Sequence, residues 1–236
     1  MRTVSISQLW SRVWDLFKVN WLLLLGLLVG LLVLYVIVNW IPIIGNLIAV
    51  ILLMPALVRA GYLVARQGQS SFGEAFGDLS LLLKVFVYNL ILWLIPGILI
   101  GVGYMLALTS AIAGVAAAYT ERGNEAMSGA MVLGGTGGIL VVAGLIILFI
   151  LNLFGWAGPY AILSGRAGIF GAIGQSFSLT AQNFGKVFVA FLSYIGLVIL
   201  GAILCGVGLL VVIPMSYVFW PLLYLALTGE EGASHA

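Results

Sequence analysis

The chain has 236 residues, 64% of them hydrophobic and only 7% charged, and its nine Lys and Arg against seven Asp and Glu leave a formal net charge of +2. A soluble domain carries about 25% charged residues, so this inventory does not cover a water-facing surface and lipid must be the solvent. The basic residues are scattered rather than gathered on one face, which argues against nucleic acid as a partner, and the single cysteine, Cys205, forbids an internal disulfide or a multi-cysteine metal site.

Residues 1–18 come first. Ile6, Leu9, Trp10, Val13, Trp14 and Phe17 follow the i, i+3, i+4 spacing of one helical face, with Gln8, Ser11, Arg12 and Asp15 opposite. An amphipathic helix in the cytoplasmic interface is expected, either as a lead into the first crossing or as a docking element. The apolar stretch that follows is too long for a signal-peptide core and lacks a small-residue cleavage site, so it reads as a retained span.

Six segments have the length and apolarity of membrane spans, at about residues 19–39, 41–64, 84–108, 137–160, 187–205 and 208–227. The first two form hairpin 1 (19–65), turning at Asn39-Trp40-Ile41-Pro42. Residues 70–160 give an amphipathic helix and hairpin 2, in which Thr109–Tyr119 extends the third helix and a polar outer loop lies near 120–136. Residues 168–227 give an amphipathic helix and hairpin 3, turning at Cys205-Gly206-Val207-Gly208, where glycine supplies backbone freedom. Pro214 and Pro221 kink its returning helix. A cytoplasmic tail, 228–236, completes a single membrane domain over 1–236.

A weak repeat supports three units. FGEAFGDLSLLLKVFV from Phe72 and FGAIGQSFSLTAQNFGKVFV from Phe170 both open Phe-Gly and close Lys-Val-Phe-Val. All three hairpins enter from the same side, a parallel repeat unlike the inverted repeats common in transporters. With a cytoplasmic N-terminus, Arg2, Arg12, Lys18, Arg59, Arg66, Lys84, Arg166 and Lys186 fall inside and only Arg122 falls outside, as the positive-inside rule favours. The expected fold is therefore an all-α polytopic membrane protein: six transmembrane helices in three parallel hairpin units, with interfacial amphipathic helices and both termini cytoplasmic.

Candidate functional residues are few. Gly26 with Gly30, Gly97 with Gly101, and Gly134 with Gly138 have the small-xxx-small spacing that lets helices approach in lipid, within the chain or between copies. Arg59 lies inside a span. Its side chain either snorkels to the interface or meets a lipid phosphate or an acid such as Glu74 or Asp78, and Lys84 and Lys186 are further candidates for lipid phosphate. Asn46, Asn89 and Asn152 are expected to hold helices together or to line a polar path. All seven acids lie outside the six spans, which argues against an ion-coupled transporter. The GGTGG run at 134–138 lacks the context of a nucleotide loop. A Ser or Cys nucleophile wants a neighbouring base, but the one histidine, His235, is next to the last residue, on a tail reading TGEEGASHA. No catalytic, cofactor or metal residues are expected.

The segment QSFSLTAQNFGKVFVAFLSYIGLVILGAILCGVGLLVVIPMSYVFWPLLYLAL, residues 175–227, resembles the C-terminal unit of bacterial six-span membrane families of unknown function, including the membrane domain attached to some glycerophosphodiester phosphodiesterases. The resemblance implies a bacterial cytoplasmic-membrane address and a six-helix bundle. It implies no reaction, because the phosphodiesterase site lies in a separate soluble domain. The expectation is a non-enzymatic accessory, scaffold or oligomer-forming subunit in contact with membrane lipids and with copies of itself or another membrane protein. The alternative is a passive channel or carrier for apolar or lipid-like molecules, with an intramembrane enzyme as a third reading.

Overall fold

Backbone groups in lipid have no water to bond, so long apolar stretches fold as helices. The computed structural model describes residues 5–38, 51, 53–117, 119, 123–203, 206 and 208–230, and is all-helical over them. The helices are α1 (Ile6–Val38), α2 (Met54–Gln67), α3 (Phe72–Phe76), α4 (Leu79–Ala117), α5 (Gly123–Gly155), α6 (Gly158–Leu163), α7 (Ile169–Gln182), α8 (Phe184–Ile203) and α9 (Leu209–Thr228). Among the described residues, five stretches are long and apolar enough to cross a membrane: Ile6–Gly30, Leu79–Ala117, Met127–Leu163, Phe184–Ile203 and Leu209–Thr228. The chain is a multi-pass membrane protein. The turn at 39–42 and residues 41–50 and 52 of the second expected span, 41–64, lie outside the described residues; the span's final part belongs to the 14-residue α2.

Three expected boundaries differ. The interfacial helix at 1–18 and the span at 19–39 are one continuous helix, because no Gly or Pro between Ile6 and Trp21 ends it. Ser5 caps that helix: its hydroxyl accepts from the Gln8 N–H at 3.3 Å while the Gln8 side chain accepts from the Ser5 N–H at 3.4 Å, a capping box. The polar loop near 120–136 is helical from Gly123, and the span placed at 137–160 stops at Gly155 and resumes as α6. The extension of the third helix through Thr109 does form, as far as Ala117.

The single domain expected over 1–236 divides into two compact units, one from Met1–Asn89 with Leu153–Ala236 and one from Leu90–Asn152. In the first, α9 is the central helix and packs on α1, α2 and α8. The buried stripe of α1 is Leu9, Val13, Phe17, Asn20, Leu24 and Leu27, whereas Trp14 of the predicted apolar face is exposed. Asn20 extends the stripe into a polar brace, its amide donating to Leu16 O at 3.0 Å and to Gly68 O at 2.8 Å. Gly68 ends α2 in the left-handed region at φ 84°, a conformation glycine adopts without strain.

The α2–α9 contact follows from a proline. Pro221 has no N–H to offer the Tyr217 carbonyl one turn earlier. Gly61 of α2 packs against that carbonyl so closely that a Cβ would overlap the Tyr217 oxygen. Two backbones thus meet where one lacks a hydrogen-bond donor and the other lacks a side chain. The turn between α8 and α9 is equally tight: Gly206 takes φ 78°, and Gly201 faces Gly208, with each hypothetical Cβ about 3 Å or less from the other backbone.

In the second unit, glycines zip α4 to α5. A Cβ on Gly103 would sit 2.6 Å from Gly137 O, and one on Gly137 would sit 2.6 Å from Gly103 O. Gly144 lies against Ile100, and Gly134 against Ser110, whose hydroxyl donates to Ala130 O at 2.6 Å. Lipid is as apolar as leucine, so packing and hydrogen bonds of this kind, rather than the hydrophobic effect, hold such helices together.

Candidate functional site

The densest set of polar side chains in the first unit surrounds the break between α5 and α6, in FGWAGPY (residues 154–160). Stopping a helix leaves carbonyls and amides without intrahelical partners, and here side chains from two other helices supply them. The Ser176 hydroxyl of α7 donates to Phe154 O at 2.7 Å and accepts from the Ala157 N–H at 3.0 Å. Tyr88 of α4 donates to Gly155 O at 2.7 Å. Its ring lies against Gly158, where a Cβ would overlap the phenol. Trp156 donates to Thr180 Oγ1 at 3.0 Å. Ala172, Ser176 and Thr180 form the buried face of α7 at i, i+4 and i+8, so small side chains let that helix approach and two hydroxyls serve the break.

An aromatic chain leads away from it. Trp10 of α1 stacks on Phe219 at 4.1 Å and 11°, and its indole N–H donates to Ser193 Oγ at 3.0 Å. Phe219 meets Trp220 edge-on at 5.2 Å, and Trp220 meets Trp156 at 5.5 Å and Phe191 at 5.2 Å. Tyr160 continues the series to Tyr62 and Tyr224, with centroids 6.4 Å and 6.0 Å away. The phenols end in a polar rim: Arg66 donates to Tyr62 Oη at 3.3 Å, Ser164 and Tyr224 share a hydrogen bond at 3.3 Å, and Arg166 pairs with Glu230 at 2.6 Å. Offset and edge-on ring pairs each add about 0.5–1.5 kcal/mol beyond burial. The Trp10 and Trp156 indoles and the Tyr62 and Tyr224 hydroxyls are thus engaged in hydrogen bonds.

The residues expected from sequence are placed as follows. Arg59 is half-buried on α2, and its Nη1 is buried with no hydrogen-bond partner among the described residues. Neither expected acid pairs with it: Glu74 bonds back to the Ser71 N–H at 2.8 Å in a capping box, and Asp78 accepts from the Leu81 N–H at 3.1 Å at the start of α4. That backbone hydrogen bond, assisted by Ser80 and by the Arg59 charge, holds the Asp78 carboxyl below its ordinary value of 3.8. Lys84 and Lys186 are exposed, while the valine after each, Val85 and Val187, is fully buried, so the two Lys-Val-Phe-Val copies share burial as well as sequence. The break before them does not match: it falls at Gly77-Asp78 in the first copy and at Asn183 in the second, and the first lead-in helix shrinks to the five residues of α3.

Asn89 donates to Val85 O at 3.0 Å and Asn152 to Leu148 O at 2.8 Å, so each binds its own helix, and Asn46 lies outside the described residues. Of the packing glycines, Gly26 meets Phe72 and Gly134 meets Ser110. Gly30, Gly97, Gly101 and Gly138 meet nothing within 4 Å among the described residues. Small-xxx-small spacing marks a backbone that is approachable without saying which face is used. Cys205 and His235 also lie outside the described residues, among which no group of three metal-ligating side chains occurs.

Sequence reasoning missed Gly61, Tyr88, Gly103, Gly137, Gly144, Gly158 and Ser176. A signal existed for two of them. Glycine, proline and aromatics crowded into FGWAGPY mark a helix break, and a proline in α9 predicts a freed carbonyl that a neighbouring glycine can approach.

Comparison with known proteins finds no matching family model, no matching curated protein and no matching solved structure.

Proposed function

We propose that this is a non-enzymatic integral membrane protein of the bacterial cytoplasmic membrane, with both termini cytoplasmic, acting through lateral helix contacts as an accessory, scaffold or oligomer-forming subunit. The observation that carries this reading is the open pair Gly97 and Gly101 on α4. They have close-packing spacing, yet meet nothing within 4 Å among the described residues. Their neighbours Leu94, Ile98 and Met105 are exposed large apolar side chains of the same helix. The glycine surface used between α4 and α5 is a different one, so a second, unused contact face remains. The back-bonded amides of Asn89 and Asn152 weigh against the passive channel or carrier.

Native mass spectrometry of the protein released with lipid from its own membrane tests the reading. The expected result is a defined oligomer or a reproducible companion protein, lost in a Gly97→Leu, Gly101→Leu variant that melts at the unchanged temperature. A bare monomer from the native membrane would overturn the proposal and favour the carrier or channel.

A further inference from the structure

We infer that Arg59 binds the phosphate of an anionic phospholipid where α2 meets the corner between α3 and α4. A guanidinium carries five donors in a planar fork and stays charged. An Arg inside an apolar segment ordinarily snorkels, placing its terminal nitrogens in water. Arg59 does not follow that pattern: its Nη1 is shielded from solvent and has no acceptor among the described residues. A buried donor of this kind lacks its largest compensation until an acceptor arrives.

The two nearest carboxylates in sequence are committed elsewhere. Glu74 completes the α3 capping box and Asp78 caps the first turn of α4. Asp78 lies close enough for the Arg59 charge to act on it, but the two form no ion pair within 4.0 Å. Among the described residues no group supplies the missing acceptor. The surroundings select a lipid. On α3, which packs against α2, Phe72 and Phe76 are exposed, and so is Leu79 at the start of α4. These are surfaces for acyl chains beside a cation that needs an oxyanion. The residue as a whole is only half-buried, so part of its side chain stays open to a ligand. Bidentate Arg–phosphate pairing then supplies the charge-assisted hydrogen bonds the site lacks. The inference rests on the membrane setting and is independent of the oligomer reading.

Delipidated full-length protein in a neutral detergent is titrated with phosphatidylglycerol, with phosphatidylcholine and with inorganic phosphate, and bound lipid is read by native mass spectrometry. One phosphatidylglycerol per chain is expected, retained at least 10-fold better than phosphatidylcholine, with that preference abolished in Arg59→Gln and weakened in Arg59→Lys. Arg66→Gln, which alters the exposed guanidinium one face-repeat along α2, retains the preference. Equal retention of the two lipids by the wild-type chain overturns the inference, as does an unchanged preference in Arg59→Gln. Displacement of the lipid by millimolar inorganic phosphate alone assigns the site to free phosphate and overturns the lipid source. Should Arg59→Gln not fold, the wild-type chain still decides: phosphatidylglycerol must raise its melting temperature more than phosphatidylcholine, and an equal rise refutes the site.

Discussion

Replacing Ser176 by Ala removes one hydroxyl that serves two backbone groups. The Phe154 carbonyl at 2.7 Å and the Ala157 N–H at 3.0 Å both lose their side-chain partner, and Ser176 and Ala157 are buried. Two scales compete for the cost. Orphaning a buried polar group costs about 1–3 kcal/mol, while interhelical hydrogen bonds in membrane proteins average about 0.6 kcal/mol, because the disrupted state finds other partners. The second scale assumes an alternative acceptor or donor, and a side-chain group in a regular helix usually has one. The groups here belong to a backbone that has already left its helix, and Ser176 and Ala157 are buried. The cost is therefore expected at about 2–4 kcal/mol, several times the membrane average. Reversible unfolding in mixed micelles, followed by circular dichroism, measures it. Ser178→Ala, on the exposed face of the same helix where its hydroxyl only accepts from Gln182, is the control and should change stability by under about 0.5 kcal/mol. If Ser176→Ala costs no more than Ser178→Ala, the break is not held by Ser176 and the argument fails.

Two further predictions follow from the same contacts. Gly61→Ala should destabilise by about 1–3 kcal/mol, since its Cβ collides with a backbone carbonyl that cannot move without shifting α9. Gly97→Ala, with nothing within 4 Å, should gain up to about 1 kcal/mol from helix propensity in monomeric protein; equal melting shifts for the two variants would refute the distinction. Asp78, with its acidity increased by the Leu81 N–H, stabilises the folded state above its unfolded pKa, and that contribution is lost as pH falls through the lower folded value. Amide exchange in the first turn of α4 should therefore keep its protection at neutral pH and lose it below about pH 4, and Asp78→Asn should remove that pH dependence; an identical profile in the variant would assign the effect to another group.

What could be read from sequence was whatever depends on composition and length. The apolar stretches of α4, α8 and α9 announce spanning helices because lipid leaves the backbone no alternative, and Gly206 with Gly208 announces the turn between the last two. What could not be read was contact. Trp14 and Leu9 fit the same helical face of α1 on paper, yet Leu9 is covered and Trp14 is exposed, because the partner is a helix about 200 residues later whose angle of approach no local pattern encodes. The glycines make the same point: Gly97-Gly101 and Gly103-Gly137 are indistinguishable as small residues, and only the pairing of α4 with α5 separates the used from the unused. The boundary between residues 18 and 19 failed for a different reason. A change from amphipathic to uniformly apolar sequence alters which side chains meet water, but a helix ends only where its backbone bonding is interrupted.

The stacking of Trp10 on Phe219, together with the indole bond to Ser193, ties α1 to α8 and α9. During synthesis α1 enters the membrane with its partner helix still unmade, and Asn20 gains its second acceptor only after Gly68 has been added. A chain cut short before α9 therefore presents an incomplete first helix, with an uncovered Trp10 and an open stripe, to whatever surveys the membrane for unfinished proteins. Covering of α1 therefore waits on α8 and α9, through contacts made across about 200 residues of chain.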